Sequence, residues 1–372
     1  MRYPQSIIAA FAAFAVVPAS ASDPKVPVDV SAEIDSREQR SELILLDLAD
    51  DYPGLNATVY SGSEIAWDFA HGLADLSDES SVTSHTRFNV YSTAKGLTGL
   101  AFAKLVAKGE VSLSTKVADV APDLPENLHQ IELRHILSHT SGVRHYSSPG
   151  DWLKFASLSC DTPQQAISHF AGDALLFEPG EKQGYSTYAY VLASELLMRI
   201  TDKQDFASAL NFALGGASEF SLDNHEIAKA NPYVLAGLLP NKPEDLDANA
   251  IVDLPPLSAE CKFGGGGIVA SSQQLARAGA EIYLADLFDS SGDYAGFAPM
   301  SGVSDVVFGA ALGSGGLEES EIHSWQLSGG APGGRSYLLV LVEPQVSVAI
   351  AGNFDGPNMA EAARKLGRIW SE

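Results

Sequence analysis

Basic residues are scarce in this 372-residue sequence. It carries 23 lysines and arginines against 47 aspartates and glutamates, a formal net charge of −24 with histidine neutral. Such an excess of negative charge repels phosphate backbones and anionic membrane surfaces. We therefore exclude nucleic acid as a partner.

Long apolar segments are also missing. The apolar run at residues 7–17 is too short to cross a bilayer, which takes about 20 apolar residues, and no later segment comes closer. This run follows Arg2 and precedes the small residues of Ala19-Ser20-Ala21, the pattern of a secretory signal peptide. We predict that residues 1–21 are removed, that the mature chain has no membrane span, and that it is periplasmic or secreted.

Cysteine is nearly absent. Only Cys160 and Cys261 occur, and neither lies near the predicted cleavage point, so we expect no lipid anchor. Export to an oxidising compartment permits a disulfide between them. Their separation in sequence does not show that they lie close together, so one disulfide and two buried thiols both stay open.

Hydrophobic periodicity places strands at both ends of the chain and helices between them. Residues 34–50 have helical spacing, and residues 56–75 have the pattern of two strands joined at Ser61-Gly62-Ser63. From Ser92 a helical apolar stripe runs to Gly109, and β-branched apolar runs return in the last third. The pattern predicts a sheet built from both ends of the chain, interrupted by a helical insert. Further helices are predicted at residues 163–171, 188–200, 272–286 and 357–370.

The segment VYSTAKGLTG, residues 90–99, places Ser92 one helical turn before Lys95. Positions i and i+3 share a helix face, so the hydroxyl and the amine come together. A serine becomes a nucleophile when a base takes its proton, and a buried lysine has the lowered pKa that this needs. A capping serine with an incidental lysine is the alternative.

Two later segments carry weaker signals of the same kind. Tyr185 stands at a loop-to-helix junction, where a phenol can project into a cleft. Gly329 and Gly330 stand just before a strand pattern, where glycine lets another backbone approach closely. Taken alone, Tyr185 is compatible with a semi-buried aromatic residue, and the two glycines are compatible with an ordinary turn.

Together, and in this order, the segments resemble the serine β-lactamase and penicillin-binding protein family, over roughly residues 50–355. The likeness is to its class C-like branch of esterases, D-amino-acid peptidases and the mitochondrial serine β-lactamase-like protein. The segments that carry it are RFNVYSTAKGLTGLAFAKLVAKGEVSL, LRHILSHTSGVRHY, LLFEPGEKQGYSTYAYVLASELL, KFGGGGIVASSQQLARAG and SGGAPGGRSYLLVLV.

The resemblance implies site roles. Ser92 is then the acylated nucleophile, Lys95 takes part in the transfer of its proton, and Tyr185 is the general base. The backbone N–H groups of Ser92 and Gly330 form the oxyanion hole. The same resemblance implies substrate contacts from Thr187, Ser328 and Gly329, and a reaction that needs no metal or organic cofactor.

Two positions depart from the family pattern. Thr187 stands where the tyrosine motif usually has asparagine, and Leu327 stands where the last motif has lysine or histidine. Leucine carries no charge and donates no hydrogen bond, which weakens the case for a carboxylate-bearing β-lactam as the substrate. Arg335 is a candidate to supply the missing positive charge.

Three histidines are spaced closely enough in sequence to suggest a zinc site. His135 and His139 are four residues apart, as on zinc helices, and His145 follows, but the glutamate of the zinc motif is absent. We assign all three a structural role. The run of four glycines at residues 264–267 lacks the Lys-Ser/Thr of a phosphate loop and is expected to form a backbone wall near the site.

The sequence thus predicts an α/β (α+β) protein of the β-lactamase/DD-peptidase-like fold, an antiparallel sheet flanked by helices with an inserted helical domain. The predicted sheet domain comprises residues 22–109 and 263–372, and the insert comprises residues 110–262. The expected activity is serine hydrolysis of a small ester, amide or short peptide, in an oligomeric state left open. The alternatives are a β-lactamase or DD-peptidase, and a binding module of the same fold that has lost catalysis.

Overall fold

The computed structural model describes most of the chain from Ser36 to its end, and the predicted signal peptide lies outside the described residues. Within the described part, no helix combines the length and the apolar character needed to cross a membrane. The described residues are 36–216, 219–223, 229–239, 242, 245–254, 259–288, 294, 296–297, 300, 302–304, 306–313 and 323–372.

The strands of the described residues form one large antiparallel sheet and two small ones. The large sheet has the order β3-β2-β1-β13-β12-β11-β10-β9, so it joins strands from both ends of the chain, as predicted. A small sheet has the order β4-β8-β5, and β6 pairs with β7. The strands are β1 Gly54–Ser61, β2 Glu64–Asp75, β3 Ser80–Ser81, β4 Phe88–Asn89, β5 Ser221–Leu222, β6 Tyr233–Leu235, β7 Ile251–Asp253, β8 Ile268–Ala270, β9 Val306–Val307, β10 Ala310–Gly313, β11 Ser324–Ala331, β12 Gly334–Leu341 and β13 Val346–Gly352.

The helices of the described residues pack on the sheet and on one another. They are α1 Arg37–Ala49, α2 Ala94–Ala107, α3 Val117–Val120, α4 Leu133–Leu137, α5 Pro149–Ala156, α6 Pro163–Ile167, α7 Thr187–Thr201, α8 Phe206–Leu214, α9 Ser272–Leu284 and α10 Ala360–Ser371. Helices α3 to α8 lie within residues 110–262, the range predicted for the helical insert.

The central strands are buried on both faces because helices cover both faces. Leu339 and Leu341 of β12 belong to the apolar cluster formed with α1 and α10. Leu338 and Val340 of the same strand belong to the cluster that contains α2 and α9. Strands covered on both sides read as continuous apolar runs, which is why the last third of the chain was recognisable as strands.

Helix α2 is the buried centre of the molecule. It is apolar on all sides, and it lies between the sheet and the helices α7 and α8. Gly99 allows the segment at Phe308 to approach, because a Cβ there would lie 1.8 Å from the Phe308 carbonyl oxygen. The helix ends as predicted, with Gly109 at φ +72°, a left-handed conformation that favours glycine.

Some predicted boundaries were wrong. The helix expected at residues 163–171 ends at Ile167. The glycine pair Gly329-Gly330 lies inside β11 and not in a turn before a strand, and the hairpin turn follows at Pro332 and Gly333. The boundaries proposed for the two domains stay a prediction, since one apolar cluster runs through both parts.

The two cysteines form a disulfide, which settles the alternatives that the sequence left open. Cys160 and Cys261 are bonded across a sequence separation of 101 residues, with their Cα atoms 5.2 Å apart. The bond ties the segment after α5 to a 3₁₀ turn at Glu260–Gly265. That turn forms one wall of the site described next.

Candidate active site

Ser92 lies in a strained turn immediately before α2. The 3₁₀ turn Tyr91–Thr93 leads into the helix, and Tyr91 has φ +46°, a conformation rare for a residue with a side chain. The Tyr91 hydroxyl donates to the Pro332 carbonyl at 3.0 Å. The Ser336 hydroxyl donates to the Val90 carbonyl at 2.6 Å. The sheet therefore holds the turn from two sides, and Ser92 faces the space between sheet and helices.

Ser92, Lys95 and Tyr185 meet at hydrogen-bond distances. The Ser92 Oγ lies 2.6 Å from the Tyr185 Oη. The Lys95 Nζ donates to the Ser92 Oγ at 3.3 Å and also to the Gly265 carbonyl oxygen. The same ammonium lies 4.8 Å from the centre of the Tyr185 ring. The structure thus brings together the three side chains that the sequence singled out, from segments 93 residues apart.

The surroundings shift the pKa values of the base candidates. Burial lowers the pKa of Lys95, and the neighbouring Tyr185 raises it only in part. Burial of its hydroxyl tends to raise the pKa of Tyr185, but the Lys95 charge and the hydrogen bonds from Lys95 and Ser92 outweigh it, so the pKa is lowered. The Tyr185 ring is still 46 % exposed along the cleft. The lowered pKa of Tyr185 raises the fraction present as tyrosinate, which is the form that can take the proton of Ser92.

Tyr185 is held in place by the start of α7 and by His139. Ser186 caps the helix, since its Oγ accepts from the Ala189 N–H at 3.0 Å. The His139 ring lies against the Tyr185 ring with centres 4.6 Å apart. Burial, together with the charges of Lys95 and His145, lowers the pKa of His139 to about 3, so this ring is neutral at pH 7.

The three histidines all accept hydrogen bonds from the backbone. The Nδ1 atoms of His135, His139 and His145 accept from the N–H groups of Glu132, Ser186 and Thr187 at 3.1, 3.4 and 3.2 Å. These hydrogen bonds hold the N-terminal ends of α4 and α7 in place. This geometry fits the structural role assigned from the sequence. His145 also lines the cleft, which the sequence did not indicate.

Strand β11 presents alternate residues to the cleft. Ser328 and Gly330 line it, whereas Leu327 points the other way into the apolar core and is 7 % exposed. Gly329 lies against the Ser92 turn, because a Cβ there would be 2.1 Å from the Val90 carbonyl oxygen. Thr187 is buried at the start of α7 beside Gly265 and also borders the cleft.

The cleft between sheet and helices has a volume of about 420 Å³. A larger open depression of about 750 Å³ lies beside residues 109–115, far along α2 from Ser92. The smaller cleft is the candidate site because Ser92, Tyr185 and Gly265 all line it, and the Gly265 carbonyl accepts the hydrogen bond from Lys95. It is lined by Tyr91, Ser92, His145, Tyr146, Trp152, Tyr185, Thr187, Lys262, Gly265, Gly266, Ser328, Gly330, Ala331 and Arg335.

Two cations line this cleft. Arg335 was expected to supply free positive charge, but its Nη2 lies 2.7 Å from Asp355 Oδ1 and its Nε donates to the Gly356 carbonyl at 3.1 Å. Lys262 was missed in the sequence, where only the glycines after it drew notice. Its Nζ lies 5.7 Å from the ring centres of both Tyr91 and Trp152, and burial with the Lys95 charge lowers its pKa to about 8.

Comparison with known proteins shows similarity to a protein family, to curated relatives and to solved structures. The Beta-lactamase family model matches residues 39–368. Protein flp of Staphylococcus aureus (strain N315) is 25 % identical over 177 residues, which cover 46 % of this chain and 35 % of flp. Penicillin-binding protein 4* of Bacillus subtilis (strain 168) is 24 % identical over 267 residues, 66 % of this chain and 56 % of that protein. The matches thus span about a third to about half of these relatives.

Solved structures share the fold. The hydrolase EstCE1, described as having promiscuous acyltransferase activity, superposes with a TM-score of 0.68 at 18 % identity, covering 90 % of this chain and 98 % of its own. The D-amino acid amidase of Ochrobactrum anthropi SV3, complexed with D-phenylalanine, gives 0.69 at 19 % identity, covering 90 % and 99 %. At this level of identity, the likeness establishes the fold alone.

Proposed function

We propose, from the premise that this chain belongs to the Beta-lactamase family of serine hydrolases, that it hydrolyses a small ester, amide or short peptide through an acyl-enzyme on Ser92. The observation that carries the proposal is the 2.6 Å contact between the Ser92 and Tyr185 hydroxyls, with the Lys95 ammonium beside both. The narrower likeness to the mitochondrial branch stays a prediction.

In the first half-reaction, Tyr185 takes the proton of Ser92 as the Ser92 Oγ attacks the substrate carbonyl carbon. The Lys95 ammonium stabilises the negative charge on the tyrosine before that transfer. Ser92 and Gly330 both line the cleft, and we assign their backbone N–H groups to the oxyanion hole, where the substrate carbonyl oxygen gains negative charge. Tyr185 then returns the proton to the departing alcohol or amine.

In the second half-reaction, water replaces the leaving group. Tyr185 removes a proton from the water as its oxygen attacks the acyl carbon, and the same proton returns to the Ser92 Oγ when the carbon–oxygen bond breaks. A carboxylic acid leaves and Ser92 is free again. Every proton in this cycle moves through Tyr185.

A second candidate function is action on β-lactams or cell-wall peptides, which the penicillin-binding protein relative suggests. Leu327 counts against it, because its side chain faces the core and offers no charge to the cleft. A binding module that has lost catalysis is the third reading. The close approach of Ser92, Lys95 and Tyr185 counts against that reading, since binding alone requires none of these contacts.

We also propose that the protein works outside the cytoplasm. The disulfide between Cys160 and Cys261 supports this location, because structural disulfides persist in oxidising compartments. The predicted signal peptide points the same way.

The test is hydrolysis of p-nitrophenyl acetate by the purified protein, with Ser92→Ala beside it, and intact-mass detection of the acyl adduct after rapid quenching. We expect turnover and an added acetyl mass that both vanish in Ser92→Ala. Equal rates for the two proteins would remove Ser92 from the reaction. Acylation by penicillin in the same mass assay would instead favour the second candidate.

A further inference from the structure

Lys262 is a buried ammonium on the wall of the cleft without an anionic partner. Its side chain is 7 % exposed, and the ammonium lies between the rings of Tyr91 and Trp152, 5.7 Å from each centre. In the part of the chain that the structure describes, the contacts of this Nζ are with the two rings, and neither a carboxylate nor another oxygen accepts a hydrogen bond from it. An ammonium has three donors, so its hydrogen-bonding capacity is unused.

The other cations near the site are occupied. Lys95 donates to Ser92 and to the Gly265 carbonyl, and Arg335 is paired with Asp355. Of the two cations that line the cleft in the described chain, Lys262 is therefore the one whose charge is not neutralised.

The backbone holds Lys262 in this position from both sides. The preceding residue, Cys261, is bonded to Cys160. The following residue, Phe263, has φ +41° and ψ −128°, a strained conformation for a residue with a side chain. Gly266 passes close to the lysine stem, since a Cβ there would lie 3.5 Å from Lys262 Cδ. Strain of this kind is retained where the surrounding structure fixes a group for function.

Burial without an anion is unfavourable for an ammonium. Aromatic rings recover only part of its lost hydration, whereas a charge-assisted hydrogen bond to a carboxylate recovers more. The same cleft holds the Ser92 hydroxyl, so an anion bound to Lys262 would belong to the molecule being cleaved.

We propose that Lys262 binds a carboxylate of the substrate, and that the enzyme prefers esters or amides that carry an acidic group near the scissile bond. This inference rests on the proposed hydrolase function and names the substrate class for it. Lys262 then provides, from the helical side of the cleft, the positive charge that Leu327 does not provide from β11.

The test compares esters that differ only in that charge. One pair is 4-acetoxybenzoate and its methyl ester, with the acid on the leaving group. The other is mono-4-nitrophenyl adipate and its methyl ester, with the acid on the acyl group. Each protein is measured on both members of a pair, so intrinsic differences in reactivity cancel when variants are compared with the wild type.

The variants are Lys262→Met and Lys262→Arg, with Lys203→Met as the matched control. Lys203 makes a similar cation–π contact, 4.3 Å from the Phe212 ring centre, but does not line the cleft. For at least one acidic ester we expect Lys262→Met to lower kcat/KM by about 10- to 100-fold, mostly through KM, because a charge-assisted hydrogen bond is lost. The neutral partner should change by less than about threefold, Lys262→Arg should retain part of the preference, and Lys203→Met should change neither ester.

Equal losses on the acidic and neutral members of both pairs would overturn the proposal and leave Lys262 as a structural clamp between two rings. If Lys262→Met does not fold, the wild type still decides the question. In at least one of two pairs, 4-hydroxybenzoate with its methyl ester and monomethyl adipate with dimethyl adipate, the acid should then inhibit at least about tenfold more tightly than the neutral ester. Equal inhibition within both pairs would overturn the proposal. Failure of the hydrolase function itself has a different signature, since Ser92→Ala would then leave hydrolysis of the neutral esters intact.

Discussion

Leu327 of β11 lies directly against Gly96 of α2. A Cβ added at Gly96 would lie 2.5 Å from Leu327 Cδ1 and 2.8 Å from the edge of Trp325. A side chain at position 96 would therefore force Leu327 and Trp325 to shift. The contact explains why Leu327 cannot serve the cleft, since its side chain is committed to the interface that holds the Ser92 helix against the oxyanion strand.

We expect the stabilities of Gly96→Ala and Leu327→Ala to be coupled. Gly96→Ala overpacks the interface and should cost about 1–3 kcal/mol, while Leu327→Ala leaves a cavity and should cost about 2–5 kcal/mol. In the double variant the new methyl enters the space left by leucine, so the combined loss should be smaller than the sum by at least about 1 kcal/mol. Urea unfolding of the four proteins measures this coupling, and strict additivity would contradict the contact.

Tyr185→Phe should separate catalysis from structure. The change removes the hydroxyl that lies 2.6 Å from Ser92 Oγ but keeps the ring that packs against His139. We expect kcat/KM for p-nitrophenyl acetate to fall by about 10²- to 10⁴-fold, the usual contribution of a general base. Thermal unfolding should move by no more than a few degrees. An unchanged rate would assign the base role to Lys95 alone.

His139 gives stability a defined dependence on pH. Its pKa is about 3 in the folded protein and the ordinary value is 6.5, so the unfolded chain binds a proton first as the pH falls. The contribution of the neutral ring is fully present above pH 6.5 and is lost progressively toward pH 3. The free energy of unfolding should decline by up to about 1.4 kcal/mol per pH unit from this residue.

The measurement is urea unfolding of the wild type and His139→Gln at several pH values between 7 and 4. Glutamine keeps an acceptor for the Ser186 N–H but does not titrate. The free energy of unfolding of His139→Gln should therefore fall less steeply than that of the wild type as the pH is lowered. Most of this pH range lies above the ordinary pKa values of aspartate and glutamate. Parallel slopes would show that His139 does not control the acid sensitivity.

The disulfide should contribute both stability and order at the cleft wall. It closes a long loop, and removing such a bond typically costs about 2–5 kcal/mol. Cys160→Ser with Cys261→Ser should show this loss in urea unfolding. Because Cys261 directly precedes Lys262, the double variant should also lose part of any preference for acidic esters, while Ser92-dependent turnover of neutral esters persists. No change in stability would mean that the bond is dispensable.

The pattern of the sequence was enough to locate the parts of the site that sit on regular elements. The hairpin turn at Ser61-Gly62-Ser63 and the end of α2 at Gly109 were predicted from alternation and glycine placement, and the structure confirms both. Ser92 and Lys95 share a helix face by spacing alone. Tyr185 was noticed at a loop-to-helix junction, but its role beside Ser92 came from the family resemblance, because periodicity does not predict contacts between distant segments.

Other features depend on tertiary geometry and could not be read from a single segment. Gly329-Gly330 was expected just before a strand, yet pairing with β12 places both residues inside β11. The close approach of another backbone, at the Val90 carbonyl, is as expected for glycine here. Lys262 opens the segment KFGGGGIVASSQQLARAG, but nothing in that motif indicated a role for it. Its position depends on the positive φ of Phe263 and on a disulfide to a cysteine 101 residues away, and neither is visible in local sequence.

A substitution at Gly329 tests whether β11 must contact the turn that holds Ser92. A methyl group at this position would meet the Val90 carbonyl oxygen at 2.1 Å, and that atom belongs to backbone that cannot rotate away. Gly329→Ala should therefore push β11 from the turn and displace the adjacent Gly330 N–H from the position where the oxyanion forms. Loss of one such donor costs about 10²- to 10³-fold in kcat, and we expect at least that loss.

Ser328→Ala is the matched control, because it removes a side chain from the neighbouring residue without changing the contact between β11 and Val90. It should alter KM more than kcat, since Ser328 faces the cleft and not the turn. Single-turnover acylation by p-nitrophenyl acetate distinguishes the two variants. A Gly329→Ala protein that folds and acylates at the wild-type rate would mean that the oxyanion is stabilised by groups other than β11, and the role assigned to Gly330 would have to be withdrawn.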